Sequence, residues 1–389
     1  FNRALVIDAN YLPALYGRGF SFQLKKDFEQ AIAIYEQVLI LQPDYEFLYG
    51  TWLSLKMRVC DWANFETNKQ RLITEIEQGK RSAIPFSTLA LLNSAALQQK
   101  AAEIYTEIKH PARAVEPFAY QHDRIKLAYF CADFCHHPTM YLMAELFELH
   151  DKNQFEVFAF ALKNTQDDVR SKIESRFEQF IDVSEYTDED VVRLARQLEI
   201  DIAVDINGIT EGYRGDLFAM RLAPIQVNYL AYAGTMGADY MDYLIADTML
   251  IPNAYQRFYT ERIAYLPNSY QVNDTQREIS DKQFTRQERE LPEQGFVFCC
   301  FNNNYKILPE TFACWMRILQ QVEHSVLWLL EDNETAVKNL RFEAEKQGIA
   351  KERLIFAKRL PLAEHLARHK VADLSLDTLP YNAHTTASD

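Results

Sequence analysis

The sequence predicts an α-helical repeat segment followed by two doubly wound, Rossmann-like α/β lobes, the second of which is incomplete. A helical pattern repeats near the N-terminus, and two later stretches alternate short β-rich runs with amphipathic helices. Alternating strands and helices indicate parallel sheets that are covered on both faces. With 389 residues, of which 48% are hydrophobic and 25% charged, the chain has the composition and length of two or three globular domains.

The helical repeat has a period of 34 residues. The sequence ALVIDANY, which ends at Tyr11, returns as VLILQPDY, which ends at Tyr45. This period is typical of tetratricopeptide helix pairs, and Gly19 and Ala31 supply the small residues that such pairs need for close packing. We therefore predict a tetratricopeptide repeat segment over 1–50 and a helical connector over 51–110. Because stacked repeats are rarely stable in fewer than three copies, we expect further repeats before the first residue of this chain.

Two series of predicted strands follow the helices. The first lobe, 111–290, contains runs at Leu127–Cys131, Phe155–Leu162, Ile202–Ile206, Val227–Tyr232 and Tyr243–Ala246. A polar linker at about 268–290 separates it from the second lobe, 291–389, with runs at Phe296–Phe301, Val326–Leu330, Leu354–Ala357 and Ala372–Leu376. Four strands are too few for a complete lobe, so we expect the chain to be truncated at its C-terminus.

Charge, hydropathy and cysteine usage exclude several classes of function. The net charge of −14 argues against a nucleic-acid surface, which needs clustered Lys and Arg. No apolar run is long enough for a membrane span. The six cysteines lie in apolar stretches and are predicted to be reduced core thiols, which favours a cytoplasmic location. We disfavour a metal site at Cys131, Cys135, His136 and His137, because their spacing fits no structural zinc pattern.

The last predicted strand leads into DTLPYNAHTTASD, the most informative segment of the chain. After His384, the hydroxyl residues Thr385 and Thr386 suit the start of a helix. A helix start offers free backbone N–H groups and a partial positive charge, which together bind phosphate. A capped helix without a ligand explains these residues equally well.

Two other loops of the second lobe carry polar residues. The loop CCFNNNYK places Lys306 at the end of the first strand, where an ammonium could neutralise a departing pyrophosphate; the alternative is a solvated surface lysine. In the segment LPLAEHLARH, His365 and Arg368 are three residues apart and share one helical face. They either contact a base and ribose or are ordinary surface residues.

In the first lobe, His137 follows a strand and precedes an amphipathic helix, where a cleft residue would lie. The pKa of histidine suits proton transfer, although the side chain could instead cap the helix. Asp205 leaves another strand in the sequence VDINGIT and is a second polar candidate for catalysis.

These motifs together resemble the O-linked N-acetylglucosamine transferase family, in particular its bacterial, SPINDLY-like members. The resemblance covers essentially the whole chain and rests on HHPT, DINGIT, APIQ, GTMGADYMDYLIAD, CCFNNNYK, VLWLLEDN, LAEH and LDTLPYNAHTTASD, in that order after the repeat.

The resemblance implies the GT-B fold and an inverting protein O-glycosyltransferase that uses no catalytic metal or cofactor. The implied donor is a nucleotide sugar, usually UDP-GlcNAc, and the implied partners are proteins, docked by the repeats and modified on Ser or Thr. Neither nucleic acid nor membrane is an expected partner.

Family motifs also imply roles for individual residues. His137 matches the active-site histidine once proposed as the base, and the diphosphate site corresponds to Lys306, His384, Thr385 and Thr386. Nucleoside contacts are expected from Asn303, Leu360, Pro361, Leu362, His365 and Arg368, and ribose contacts from Asp389.

Two departures from the family pattern leave the nucleobase and the sugar open. The family's animal members have Gln where this chain has Asn303, and Lys where it has Leu362. Plant SPINDLY proteins transfer fucose from GDP-fucose, and related bacterial enzymes glucosylate Asn, so both alternatives stay open. A non-catalytic repeat scaffold is the rival hypothesis from another class.

Overall fold

The computed structural model describes all 389 residues. They form two compact units: residues Phe1–Asn93 together with Glu278–Asp389, here called the split unit, and residues Ser94–Arg277, called the central unit. This division differs from the predicted domains. The connector 51–110 is shared between the units, and the N-terminal helices pack with the last lobe.

The split unit begins with six helices. They are α1 (Asn2–Ile7), α2 (Leu12–Leu24), α3 (Phe28–Leu41), α4 (Leu48–Arg58), α5 (Phe65–Glu77) and α6 (Pro85–Leu91). A three-residue turn joins α2 to α3, and the Asp27 carboxylate caps α3 by accepting a hydrogen bond from the backbone N–H of Gln30. The predicted small residues lie where these two helices meet: Ala31 is fully buried, and Gly19 faces the ring of Tyr35.

The central unit is a seven-stranded parallel sheet with helices. After α7 (Ala95–Lys109) come β1 (Ile125–Cys131), α8 (Pro138–Glu148), β2 (Phe155–Ala161), α9 (Asp168–Glu174), β3 (Gln179–Asp182), α10 (Asp188–Gln197), β4 (Ile202–Asp205), α11 (Gly215–Ala219), β5 (Ile225–Asn228), β6 (Tyr243–Ala246) and β7 (Arg262–Tyr265). Their order in the sheet is β3-β2-β1-β4-β5-β6-β7. The five predicted strands are present, and Val227–Tyr232 is corrected to the shorter β5, which begins two residues earlier.

The sequence did not predict β3 and β7. Each has four residues and lies at an edge of the sheet. Both are largely half-exposed, so neither shows the continuous apolar run that marks a strand buried on both faces.

The rest of the split unit is a four-stranded parallel sheet. Its elements are β8 (Val297–Cys300), α12 (Pro309–Gln321), β9 (Val326–Leu330), α13 (Glu334–Lys346), β10 (Leu354–Ala357), α14 (Leu362–Arg368), β11 (Leu374–Ser375) and α15 (Thr385–Ser388). Their order is β10-β9-β8-β11. The predicted strands β9 and β10 are confirmed at both ends, whereas β11 covers only two residues of the predicted run.

The helical connector packs on this second sheet through named contacts. Asn333 and Asn339 donate side-chain hydrogen bonds to the carbonyls of Arg58 (2.9 Å) and Val59 (2.8 Å). The ring of Trp62 lies 5.2 Å from that of Phe312 on α12. Hydrogen bonds and aromatic packing therefore join the end of α4 to the last lobe.

No helix has both the length and the apolar character needed to cross a bilayer.

All six cysteines are free. Four of them are buried, as expected of core thiols, but Cys135 is half-buried and Cys314 is exposed on α12, so the prediction of core thiols was wrong for Cys314.

Two glycines of α2 allow a matched test of close packing. A Cβ at Gly19 would lie 2.5 Å from the buried ring of Tyr35, whereas a Cβ at Gly17 would meet only the ring of the exposed Phe1. Gly17→Ala should gain up to about 1 kcal/mol of helix propensity. Gly19→Ala should lose that gain and more, because overpacking costs about 1–3 kcal/mol. Urea denaturation of both variants measures the difference, and equal stabilities would contradict the contact.

Candidate functional site

Lys306 lies at the end of the loop that follows β8 and closes a short 3-10 turn, Asn304–Lys306. Its side chain is 8% exposed. The ammonium donates a hydrogen bond to the carbonyl of Asn382 at 2.8 Å and lies 4.0 Å from the ring centroid of Tyr381. The lysine is therefore a buried cation held against the 377–384 loop and not the solvated surface residue of the alternative prediction.

Burial lowers the pKa of Lys306 to about 8, and the nearby Asp377 carboxylate and Cys300 thiol oppose this shift. A cation that has lost much of its hydration binds an incoming anion more strongly than a solvated one, since less water must be displaced.

The 377–384 loop is held by one carboxylate. Asp377 accepts hydrogen bonds from the backbone N–H groups of Thr378 and Ala383, both at 2.7 Å, and from the side chain of Asn382 at 2.9 Å. The Thr378 hydroxyl donates to the carbonyl of Tyr381 at 2.8 Å. These bonds fix the carbonyl and the ring that contact the lysine.

Asn302 connects this loop to the start of α15. Its side-chain amide donates to the Thr378 hydroxyl at 2.9 Å, and its carbonyl accepts from the Thr386 hydroxyl at 2.6 Å. His384 is the N-cap residue of α15. Burial, reinforced by the charge of Lys306, lowers the pKa of His384 to about 4, so its imidazole is neutral at pH 7.

The predicted nucleoside residues lie on or beside α14. His365 is half-buried, with its Nε2 3.7 Å from a carboxylate oxygen of Asp389. Burial, followed by the charge of Arg368, lowers the pKa of His365 to about 3. Of the preceding residues, Leu360 and Leu362 are half-buried and Pro361 is exposed, as is Asn303 in the loop after β8.

Arg368 is buried at 1% exposure and packs on an aromatic ring, so it is not the surface residue of the alternative prediction. Its guanidinium carbon lies 4.4 Å from the ring centroid of Phe301, and one N–H group donates to the carbonyl of Lys358 at 2.6 Å. The Nε and Nη2 groups have no hydrogen-bond partner. Burial lowers the pKa of Arg368 to about 10. Two nitrogen atoms of this buried cation therefore have no hydrogen-bond acceptor within the chain.

In the central unit, His137 is the N-cap residue of α8 and follows β1 by six residues. Its Nδ1 lies 3.3 Å from the backbone N–H of Thr139, which donates to it, and 3.2 Å from the Thr139 hydroxyl. Burial lowers the pKa of His137, although the nearby Asp133 carboxylate opposes the shift. A neutral, half-buried imidazole is able to accept a proton at pH 7.

Asp205, at the end of β4, is buried at 1% exposure. One oxygen accepts from the backbone N–H groups of Asn207 and Gly208, both at 3.0 Å, and the other has no partner. The Asn207 side chain then donates to Asp133 at 2.7 Å and accepts from the Ala132 N–H at 2.6 Å. The carboxylate of Asp205 thus holds the turn that positions Asp133 near His137.

The structure brings most of the predicted residues of the second lobe together. Lys306, His384 and Thr386 are connected through the 377–384 loop and Asn302, and His365 lies near Asp389. Sequence reasoning missed Asn302, Asp377 and Tyr381, which hold the others in place. Asn302 and Asp377 each lie two residues after a strand end, β8 and β11, and this position was the signal that could have identified them.

Nowhere in the chain do three or more His, Cys, Asp or Glu side chains form a group that could hold a metal ion. Near His137, the neighbouring His136 instead pairs with Asp168 at 2.6 Å.

Comparison with known proteins identifies similar chains. The model of glycosyl transferase family 41 matches residues 59–284 and 280–389. A probable UDP-N-acetylglucosamine–peptide N-acetylglucosaminyltransferase, SEC, from Arabidopsis thaliana is 38% identical over 68% of this chain and 28% of its own length. A UDP-N-acetylglucosamine–peptide N-acetylglucosaminyltransferase from Caenorhabditis elegans is 26% identical over 85% of this chain and 40% of its own length. The chain therefore spans well under half of these relatives.

A solved structure of a mutant O-GlcNAc transferase from Thermobaculum terrenum is also similar. Its TM-score is 0.79 at 25% identity, with 99% of this chain and 74% of that chain covered. That similarity agrees with the predicted GT-B-like fold.

The buried Asp205 predicts a pH dependence of stability. Burial raises its pKa to about 6, although the N–H groups of Gly208 and Asn207 oppose this. Because the folded pKa lies above the unfolded value, the folded state binds more protons, so stability falls as pH rises through this range. Asp205→Asn keeps an acceptor for both N–H groups and removes the buried charge. Between pH 4.5 and 7.5, the unfolding free energy of the variant should gain about 2 kcal/mol relative to the wild type. Urea titrations at both pH values test this, and a constant difference would refute it.

Proposed function

The chain belongs to glycosyl transferase family 41, and from this premise we propose that the protein transfers N-acetylglucosamine from UDP-N-acetylglucosamine to Ser or Thr hydroxyls of other proteins. The relatives named above carry that donor and a peptide acceptor in their names. The single observation that supports the proposal most is the buried ammonium of Lys306 beside the start of α15.

The diphosphate of the donor binds between Lys306 and the turn from His384 to Thr386. Lys306 supplies positive charge that is already desolvated. The neutral His384 imidazole and the Thr385 hydroxyl add hydrogen-bond donors, as do the backbone N–H groups that begin α15. These groups are oriented before the donor arrives, because Asp377 and Asn302 fix the loops that carry them.

The reaction is a single displacement at the anomeric carbon. The acceptor oxygen forms its bond to that carbon on the face opposite the diphosphate, the bond to the phosphate oxygen breaks, and the configuration inverts. Negative charge then accumulates on the departing UDP. Lys306 neutralises it, in the role that a metal ion has in other transferases, and such preorganised charge acts mainly in the transition state.

The acceptor hydroxyl loses its proton in this step, and His137 is the proposed recipient. In the structure Nδ1 accepts the backbone N–H of Thr139, so the proton of the neutral ring is on Nε2. To receive the acceptor's proton at Nε2, the ring adopts the other tautomer, in which the N–H at Nδ1 donates to the Thr139 hydroxyl, 3.2 Å away. Asp205 takes no direct part in this scheme: its carboxylate holds the turn of Asn207 and Gly208.

The nucleoside lies against α14. The half-buried His365 is the accessible polar group there, with Leu360, Pro361 and Leu362 beside it, and the unpartnered N–H groups of Arg368 lie buried behind them. Asp389, close to His365, faces the ribose. Leu362 and Asn303 are the positions at which a different base or sugar would be selected, and UDP and GDP are therefore compared below.

The N-terminal helices are the proposed docking surface for protein acceptors. The 34-residue period and the packing of α2 on α3 support a tetratricopeptide pair. The cytoplasmic location stays a prediction.

Removal of the Lys306 charge tests the proposed function directly. Lys306→Met keeps the aliphatic stem but removes the ammonium, and should lower donor turnover by about 10²-fold. Lys346→Met, which removes an exposed lysine of α13, is the control and should leave turnover unchanged. Turnover is measured as UDP release with a protein acceptor, and unchanged turnover in Lys306→Met would reject the role.

Calorimetric titration of the wild-type protein with UDP and with GDP distinguishes an enzyme from a non-catalytic scaffold, because a scaffold should bind neither nucleotide.

The pKa of Lys306, lowered to about 8 by burial, predicts a pH dependence of donor binding. Above about pH 7 the phosphates of UDP are fully ionised, so between pH 7 and about 8.5 the lysine is the group of the proposed diphosphate site that titrates. As the pH rises through 8, the free protein loses the ammonium, and the Kd for UDP should rise by at most about tenfold per pH unit. Lys306→Arg, whose guanidinium stays charged, should show a flat profile between pH 7 and about 8.5. A flat profile in the wild type would contradict the prediction.

A further inference from the structure

Phe86, on α6, lies between the two loops that enclose Lys306. Its ring is 6.1 Å from that of Tyr305, at an interplanar angle of 57°, and 6.2 Å from that of Tyr381, at 84°. Tyr305 immediately precedes Lys306 in the chain, and Tyr381 provides the face on which the ammonium rests. One side chain of the helical connector therefore contacts both walls of the cation site.

Arg58, at the end of α4, also contacts Tyr305. Its guanidinium carbon lies 4.9 Å from the ring centroid of Tyr305 and 5.7 Å from that of Phe28 on α3. Its own carbonyl accepts the hydrogen bond from Asn333 at 2.9 Å. The backbone of Arg58 is thus fixed by a hydrogen bond. Its guanidinium packs between Phe28 of the helical repeat and Tyr305 of the Lys306 loop.

We propose that Phe86 and Arg58 are positioning residues for Lys306, so that the N-terminal helices form a structural part of the site that holds the donor diphosphate. The effect on donor binding rests on the proposed function, but the contacts of Phe86 and Arg58 lie within the protein itself. Neither residue contacts the donor; both act through Tyr305 and Tyr381.

The ammonium of Lys306 depends on the orientation of one ring, that of Tyr381. A cation is attracted to the face of an aromatic ring and not to its edge. Tyr381 presents its face to the ammonium only while its orientation is fixed, and Phe86 meets it at nearly a right angle, in the edge-to-face arrangement that aromatic pairs favour. The ring of His384 also lies close to that of Tyr381, at 5.4 Å and an interplanar angle of 70°.

Loss of Phe86 leaves a cavity beside both tyrosines. Water that enters there reaches the ammonium, whose desolvation is the main cause of its lowered pKa. The titratable groups that face Lys306 are the Asp377 carboxylate in the loop after β11, the neutral Cys300 thiol of β8 and the neutral His384 at the start of α15. None of these is altered by a substitution at Phe86, so a change in the lysine would report its hydration and position.

The first measurement needs no donor. With lysine labelled at Cε with ¹³C, NMR titration follows the amine of Lys306, which is assigned by its absence from Lys306→Arg. In Phe86→Ala its pKa should rise from about 8 by about one pH unit or more toward the ordinary value. Phe86→Tyr, which keeps the ring, should titrate like the wild type.

Trp62→Ala is the matched control. Trp62 belongs to the same connector and packs on the same lobe, but its ring contacts Phe312 and not the tyrosines. It should lose stability as Phe86→Ala does, yet leave the titration of Lys306 unchanged. A Lys306 pKa that is unchanged in Phe86→Ala, or shifted equally in Trp62→Ala, would overturn the inference.

The second measurement is the Kd for UDP in the same variants. Phe86→Ala should bind UDP about tenfold more weakly at pH 7.5, and Trp62→Ala should bind as the wild type does. If wild-type protein binds neither UDP nor GDP, the proposed function fails, while the NMR titration still decides whether Phe86 positions Lys306. If UDP binds normally to Phe86→Ala, the positioning role is refuted and the proposed function stands.

Discussion

The buried ammonium of Lys306 is the constraint on which the arrangement of the last lobe depends. A charge removed from water must find partners, since an unpaired buried ion is costly. Here the partners are the carbonyl of Asn382 and the face of Tyr381. Both belong to a loop that has little regular secondary structure, and the carboxylate of Asp377 gives that loop its shape.

The helical segment is part of the same unit as this lobe, and the contacts explain why. Asparagine side chains of α13 and its N-cap bind the carbonyls that end α4, where a helix has unpaired acceptors. Rings of the connector pack on those of the lobe. The connector that follows the predicted repeat therefore supports the loops around Lys306.

The central unit repeats this arrangement with the opposite charge. Asp205 is a buried carboxylate whose two hydrogen bonds come from backbone N–H groups, and the turn that it holds carries Asn207 to Asp133. In both units a buried ionised side chain fixes a loop at the carboxyl end of a parallel sheet, where ligands of such folds bind. The candidate site residues are neighbours of these charges.

The sequence by itself determined the fold class, most strand positions and the loops that carry the candidate site. Continuous apolar runs such as Val326–Leu330 mark strands buried on both faces, and the residues that follow them mark the ends where ligands bind. The edge strands β3 and β7 were not predicted, because half-exposed strands lack that continuous apolar run. Only the tertiary structure decided that Lys306 and Arg368 are buried, that Asp205 holds a turn, and that Phe86 lies between Tyr305 and Tyr381. Such contacts join residues far apart in the chain, Phe86 and Tyr305 for example, and hydrophobic periodicity carries no information about which distant side chains meet.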